Sequence, residues 1–214
     1  QLPERYRVSG APPLKCGTQV TLEVRENLAT MTGKIAQEAE ALLARPTLDS
    51  YIDTAHFRVH YATSGTDMVS GWPDATYRDA VMDACETSWA LYHTTTGWPT
   101  PPSDGSAGGG TALIDCYIDD LGTGAYGVTY AEAPVAGGHP FDYTSYFVID
   151  NDYVGFGYAD NKLPMRVTVA HEYHHVVQMG LNVQSSGGWF MENTSTFMED
   201  EVYDTINDNY LYLS

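Results

Sequence analysis

Residues 168–180, TVAHEYHHVVQMG, set three histidines and a glutamate into five consecutive positions of an otherwise apolar segment. An unsatisfied imidazole or carboxylate in apolar surroundings costs on the order of 2 to 7 kcal/mol, so the cluster needs partners. His171, Glu172 and His175 spell H-E-x-x-H. At about 3.6 residues per turn the two histidines project from one helical face. Both imidazoles then reach one zinc ion at about 2.0 to 2.1 Å, while Glu172 stands beside the position left open. An ion so held acidifies water to a pKa near ~7, and a neighbouring carboxylate can take the proton as the water attacks a carbonyl. The flanking Val167, Val169, Ala170, Val176 and Val177 bury the helix, where a rigid ligand platform belongs. His174 points off the ligand face, which suits a supporting or surface role better than ligation.

A hydrolytic zinc usually keeps about three protein ligands. The extended pattern with Gly at 178 and His at 181 is excluded by Gln178 and Leu181, and no histidine follows His175, so a carboxylate must serve. The segment WFMENTSTFMED (189–200) carries Glu192 and Glu199 on roughly one helical face, after a loop, LNVQSSGG, suited to an antiparallel return. Glu192 is the preferred third ligand and Glu199 its rival. With Glu192 ligating, Glu199 either accepts the second N–H of a ligand histidine or joins Asp200 and Glu201 in a solvated acidic helix end. Asn193-Thr194-Ser195 matches a glycosylation acceptor, but a helix packed beside a metal is a poor site for a glycan.

Other elements must bring these residues together. Residues 1–17, with Pro and Gly throughout, read as an irregular arm. Across 18–44, Val20, Val24, Leu28, Met31, Ile35, Ala39 and Leu42 recur at helical spacing, with Gly33 as a point of interruption. Pro46 breaks that pattern, and Phe57, Val59 and Tyr61 alternate as in a strand, which places a boundary near residue 50. Asp74 caps a second helix whose Val81, Cys85, Trp89 and Tyr92 share one face, and residues 98–110 form a surface loop. Strand patterns follow at 111–119, 125–131 and 144–150; helices at about 165–179, ended by Gly180, and at about 189–203 close the chain.

This order predicts an α+β fold, a mixed sheet preceding an active-site helix and a following Glu-bearing helix. Residues 1–50 would be an arm and helix serving as a pro-segment, and 51–214 the catalytic domain. Residues 125–130 and 146–148 are each either an interior strand or an exposed edge able to hold an extended peptide by backbone pairing. Asp150, Asn151, Asp152, Asp160 and Asn161 lie in a loop with Gly155 and Gly157. Their oxygens would suit calcium, yet the spacing is not that of an EF-hand loop, and a solvated turn is the preferred reading.

With 214 residues, one domain is the default, and 43% hydrophobic residues with 16 tyrosines argue for a folded chain. Ten Lys+Arg against 28 Asp+Glu give a net charge of -18, which makes nucleic acid and anionic membranes poor partners. No apolar run of about 18 residues occurs, so membrane insertion is not expected, and Gln1 opens a polar stretch without a visible signal peptide. Any export signal has been removed or was never there. A monomer acting on peptide or protein is expected. Three cysteines are too few for a disulfide scaffold. Cys85 and Cys116 share faces with core residues and either pair or stay buried as thiols.

His171-Glu172-Tyr173-His174-His175 followed by Glu192 on a second helix resembles the gluzincin clan of zinc peptidases. Within it, WFMENTSTFMEDEVYD looks like the W-x-x-E-G-x-A-x-x-x-E-D segment of secreted bacterial metalloproteases. A looser likeness extends upstream through KCGT, RPTLDS, HFRVHY and GAYGVTYAE. The resemblance implies a zincin-like domain and an extracellular endopeptidase, with one zinc on His171, His175 and Glu192 and Glu172 as general base. It also implies an oxyanion donor after the second helix, for which Tyr203 and Tyr210 are candidates; only 39 residues follow His175, so a C-terminal subdomain is reduced or cut off. Three positions depart from the pattern: Asn193 replaces Gly, Ser195 replaces Ala, and Thr196 stands where thermolysin-like chains carry an aspartate. KCGT is similar in logic to the cysteine switch of other zinc peptidase proforms. Cys16 would fill the open metal position until the N-terminal segment is cleaved, or else form a disulfide or stay idle. The competing readings are a zinc-bearing adhesion or binding module without catalysis and a metal-free acidic binding domain.

Overall fold

The computed structural model describes residues 14–207; the arm before residue 14 and Tyr210 lie outside them. Strand β1 (Leu14–Cys16) leads into α1 (Thr18–Asn27), a tight turn at Leu28–Thr30 and α2 (Gly33–Leu42). The helical pattern across 18–44 is thus two helices. Met31 and Thr32 are extended and Gly33 takes φ 60°, a left-handed conformation that glycine adopts without a Cβ clash. β2 (Ser50–Asp53) and β3 (Phe57–Tyr61) follow, then α3 (Thr76–Trp89), which continues as a wider turn through Ala90–Thr95. After the loop come β4 (Ile114–Asp119), β5 (Ala125–Pro134), β6 (Tyr143–Asp150), α4 (Lys162–Met179) and α5 (Gly188–Val202).

The strands form one six-stranded mixed sheet in the order β1-β5-β6-β4-β3-β2. β1 is parallel to β5, β5 antiparallel to β6, and β6, β4 and β3 are mutually parallel, with β2 returning antiparallel on β3. The result is α+β. β6 is interior, so of the two candidate edge strands only β5 lies near a border, and there the short β1 covers it.

Alternation divides the sheet into two faces. Phe57, Val59, Cys116, Ile118, Phe147 and Ile149 pack with α3 and α4 in the main core. Tyr117, Tyr130, Tyr146 and Val148 face the other way, under Leu43 and Leu48. A third cluster joins Leu22 of α1 to Met179, Val183 and Met191, so α1 shares the core of the two site helices.

α4 is wrapped by α3, β5, β6 and α5. From Val167 to Val177 every residue is buried, His171, Glu172, His174 and His175 among them. A helix this enclosed cannot satisfy polar side chains with water, so each needs a protein partner or a ligand. The loop across 98–110 is tied down by Arg45, whose guanidinium meets Asp104 at 3.0 Å, Asp115 at 2.6 Å and Glu132 at 2.5 Å. It also lies 4.6 Å above the Tyr146 ring.

Candidate metal centre

The helix α4 presents His171 and His175 on one face, and α5 returns antiparallel to bring Glu192 opposite them. The two Nε2 atoms are 3.1 Å apart. Glu192 bridges them, with Oε2 3.2 Å from His171 Nε2 and Oε1 3.3 Å from His175 Nε2. β1 supplies a fourth group, Cys16 Sγ, 3.3 Å from His175 Nε2. One ligand atom from each of Cys16, His171, His175 and Glu192 lies within 4.8 Å of all the others, and this set could hold a metal ion.

Each imidazole is oriented from behind. His171 Nδ1 meets Glu199 Oε1 at 2.6 Å, and His175 Nδ1 meets Gln178 Oε1 at 2.7 Å. Gln178 is itself held, its amide donating to Thr194 Oγ1 at 2.8 Å. With Nδ1–H donating outward, both Nε2 lone pairs aim at the centre. Glu199 and Gln178 thus orient the two imidazoles. Gln178 was invisible as a partner in the sequence, although its place three residues after His175 puts it on the adjoining helical face.

The field of the cluster favours positive charge. Burial opposes protonation of His171, but Cys16, Glu192 and Glu199 outweigh it and push the pKa well above the ordinary imidazole value. Burial likewise opposes the charge on His175, and the influence of Cys16 and Glu192 prevails, raising it to about 10. Burial works against the Glu192 anion too, yet the two imidazoles hold its carboxyl far below the usual range. A bound cation meets the same demand, at the cost of displacing those protons.

Glu172 is no part of the four-residue set. It is fully buried against β5, where Thr129 Oγ1 donates to Oε2 at 2.7 Å and Thr18 Oγ1 at 3.1 Å. Its Oε1 is buried with no hydrogen-bond partner among the described residues. Gly127 makes room for it, because a Cβ there would stand 2.6 Å from Glu172 Cγ.

Other site candidates fall elsewhere. Tyr203 packs at the edge of the main core beside Asp83, Thr87 and Arg166, apart from the four metal-site residues. His174 is buried, not at the surface. It sits between the rings of Tyr92 and Trp98, at 5.5 and 5.3 Å, and burial, with the neighbouring imidazoles, lowers its pKa to about 3. In the acidic loop the Asp150 carboxylate accepts N–H groups of Leu121 and Tyr153, and Asn151 donates to the carbonyls of Thr66 and Met68. Among the described residues no second group of three or more His, Cys, Asp or Glu side chains converges. All three cysteines are free, with Cys85 and Cys116 buried in the main core.

The fold and site together define a mixed α/β protein with a candidate metal centre between two antiparallel helices. No family model matches the chain, and no curated protein or solved structure matches it.

Proposed function

We propose that the chain is a zinc-dependent endopeptidase of the zincin type, a secreted relative of the gluzincins, held in a latent arrangement. The observation that carries this reading is Glu172, a buried carboxylate next to two Nδ1-anchored imidazoles that is not itself one of the ligands. A structural metal site has no use for such a group. The donor spacing suits zinc: tetrahedral bonds of about 2.0 to 2.1 Å to nitrogen and about 2.3 Å to sulfur place donors about 3.3 to 3.5 Å apart, and the observed separations start at 3.1 Å. The mixed nitrogen, sulfur and oxygen set also suits zinc better than calcium or magnesium, which take oxygen.

When bound, zinc would polarise the scissile carbonyl and make water more acidic. His171, His175 and Glu192 would hold it. Glu172 would accept the proton of the attacking water and return it to the departing amine. Glu199 and Gln178 would fix the two imidazoles. Cys16 would supply a fourth donor, which would keep the protein latent by denying substrate and water a place.

The same thiol favours a second reading, because four protein ligands make a closed, structural site. One experiment separates the two. Zinc content after dialysis without chelator and casein degradation are measured for the intact chain, Cys16→Ala and Cys16→Ala/Glu172→Ala. The peptidase reading expects stoichiometric zinc in all three, partial activity released by Cys16→Ala while the strand still competes for the groove, and loss of that activity by several orders of magnitude in the double variant. Substoichiometric zinc, or an inert Cys16→Ala chain that still holds zinc, sinks it.

A further inference from the structure

Resting on the peptidase reading, we infer that residues 15–18 occupy the substrate groove and that Glu199 selects peptides carrying lysine or arginine next to the bond to be cut. The groove is the outer edge of β5. Leu14 and Cys16 pair with Ala125 and Gly127, and Gly17 N–H donates to the Gly127 carbonyl at 3.0 Å. Thr129 N–H donates to Thr18 Oγ1 at 2.8 Å, and Thr21 Oγ1 donates to the Thr129 carbonyl at 3.1 Å. The main-chain groups of Gly127 and Thr129 that an extended peptide would use are thus already taken by the chain itself.

The side chains of this internal occupant report what the groove accepts. Cys16 reaches the metal-site imidazoles, Thr18 reaches Glu172, and Lys15 Nζ forms an ion pair with Glu199 Oε2. Glu199 is 3% exposed, and its other oxygen is engaged by His171. When β1 leaves, the ammonium leaves with it, and one oxygen of a buried carboxylate loses its cation. An uncompensated buried charge is strongly unfavourable. A peptide with lysine or arginine at that place restores the pair; an uncharged one does not. The net charge of -18 adds a longer-range pull on cationic chains.

The test uses the full chain carrying Lys15→Ala, Cys16→Ala and Glu172→Gln, in which the arm's hold is weakened and cutting is blocked. Binding of fluorescent peptides that differ only in lysine or norleucine is measured by anisotropy with zinc. A charge-assisted bond predicts about 10- to 100-fold tighter binding of the lysine peptide. Adding Glu199→Gln should bring the ratio close to one. A ratio near one without that change, or a ratio that survives it, overturns the inference. Cutting is scored separately with Glu172 restored: a lysine preference in binding without any cleavage supports the groove and overturns only the peptidase reading. A second measurement guards against misfolding of the multiple variant. In the otherwise natural chain, Lys15→Met should speed amide hydrogen exchange at residues 15–18 and Lys15→Arg should not; equal protection in both overturns the role given to the Lys15–Glu199 pair.

Discussion

Gly127→Ala tests the packing that places Glu172. A methyl group at this position would lie 2.6 Å from Glu172 Cγ, 2.7 Å from Thr168 Cγ2 and 2.8 Å from Glu172 Oε1. Non-bonded carbons normally keep about 3.5 to 4.0 Å, so the overlap approaches 1 Å. Neither side can yield easily. Glu172 is enclosed and its Oε2 is held by Thr129 and Thr18; β5 is hydrogen-bonded to β6 on one side and to β1 on the other. Overpacking of this kind costs about 1 to 3 kcal/mol. For a domain of this size each kcal/mol lowers Tm by about 2 to 4 °C, so a fall of roughly 2 to 12 °C is expected by differential scanning fluorimetry. Gly187→Ala is the control, since nothing lies within 4 Å of its added methyl and its φ of -91° is ordinary. Zinc affinity should change little in Gly127→Ala, because no metal-site side chain is touched. If Gly127→Ala and Gly187→Ala melt together, the close packing of Glu172 on β5 must be abandoned.

Four further substitutions probe the site and its support. Glu192→Ala should weaken zinc, read by competition with a chromogenic chelator, whereas Glu199→Ala should cost about 10- to 100-fold in affinity or activity, as partners behind a ligand do; a stripped metal in Glu199→Ala alone would reverse the two roles. Arg45→Met removes the cation from Asp104, Asp115 and Glu132 and should cost about 3 to 5 kcal/mol in urea unfolding, since the Asp115 side chain is only 1% exposed. A cost under 1 kcal/mol would show that the network adds nothing to the hold on the loop. Asp150 is pushed up to about 6 by burial, above its unfolded value of about 3.9. The folded state therefore keeps a proton that the unfolded chain releases, so this contribution to stability is full below about pH 4 and lost as pH rises through about 6. Asp150→Asn should lower stability at every pH yet shrink its decline between about pH 4 and 7; an unchanged slope places the titration elsewhere.

Much of α4 and α5 was legible because helical spacing is a local signal. His171 and His175 had to share a face, and Glu192 stood far enough along for a returning helix to carry it back. β3, β4, β5 and β6 were legible from alternation, with β4 starting later than the pattern, at Ile114. The role of the arm was less so. Three residues of β1 have no period to read, and their partner strand begins at Ala125, so nothing local announces the pairing. The same holds for contacts made across the fold: Thr18 and Thr129 on Glu172, Lys15 on Glu199, and the Tyr92 and Trp98 rings around His174. His174 reads as a supporting or surface residue because helix geometry excludes it from the metal face. Geometry within one helix cannot show that a loop aromatic closes over the other side.

The way β1 is anchored bears on how latency could end. Its residues run directly through Gly17 into α1, and Gly17 has no room for a side chain, since a Cβ would meet Val128 Cγ2 at 2.7 Å. Leu22 of α1 is buried with Met179 at the end of α4, Val183 in the loop that follows and Met191 in the first turn of α5. Gln19 Nε2 and Glu26 hold the loop between those helices through Ser185. Trimming the chain ahead of Leu14 would leave all of these contacts in place, together with Cys16, Lys15 and Thr18 on their partners. Because the strand is tethered, it competes with a free peptide at a high effective concentration, and loss of any one contact leaves the others to hold it. Removing the Cys16 or Lys15 side chain therefore raises the fraction of time the groove is open, whereas full and lasting opening requires a break on the α1 side of Cys16 or the unpacking of α1 itself, and the second route would also disturb the two helices that carry His175 and Glu192.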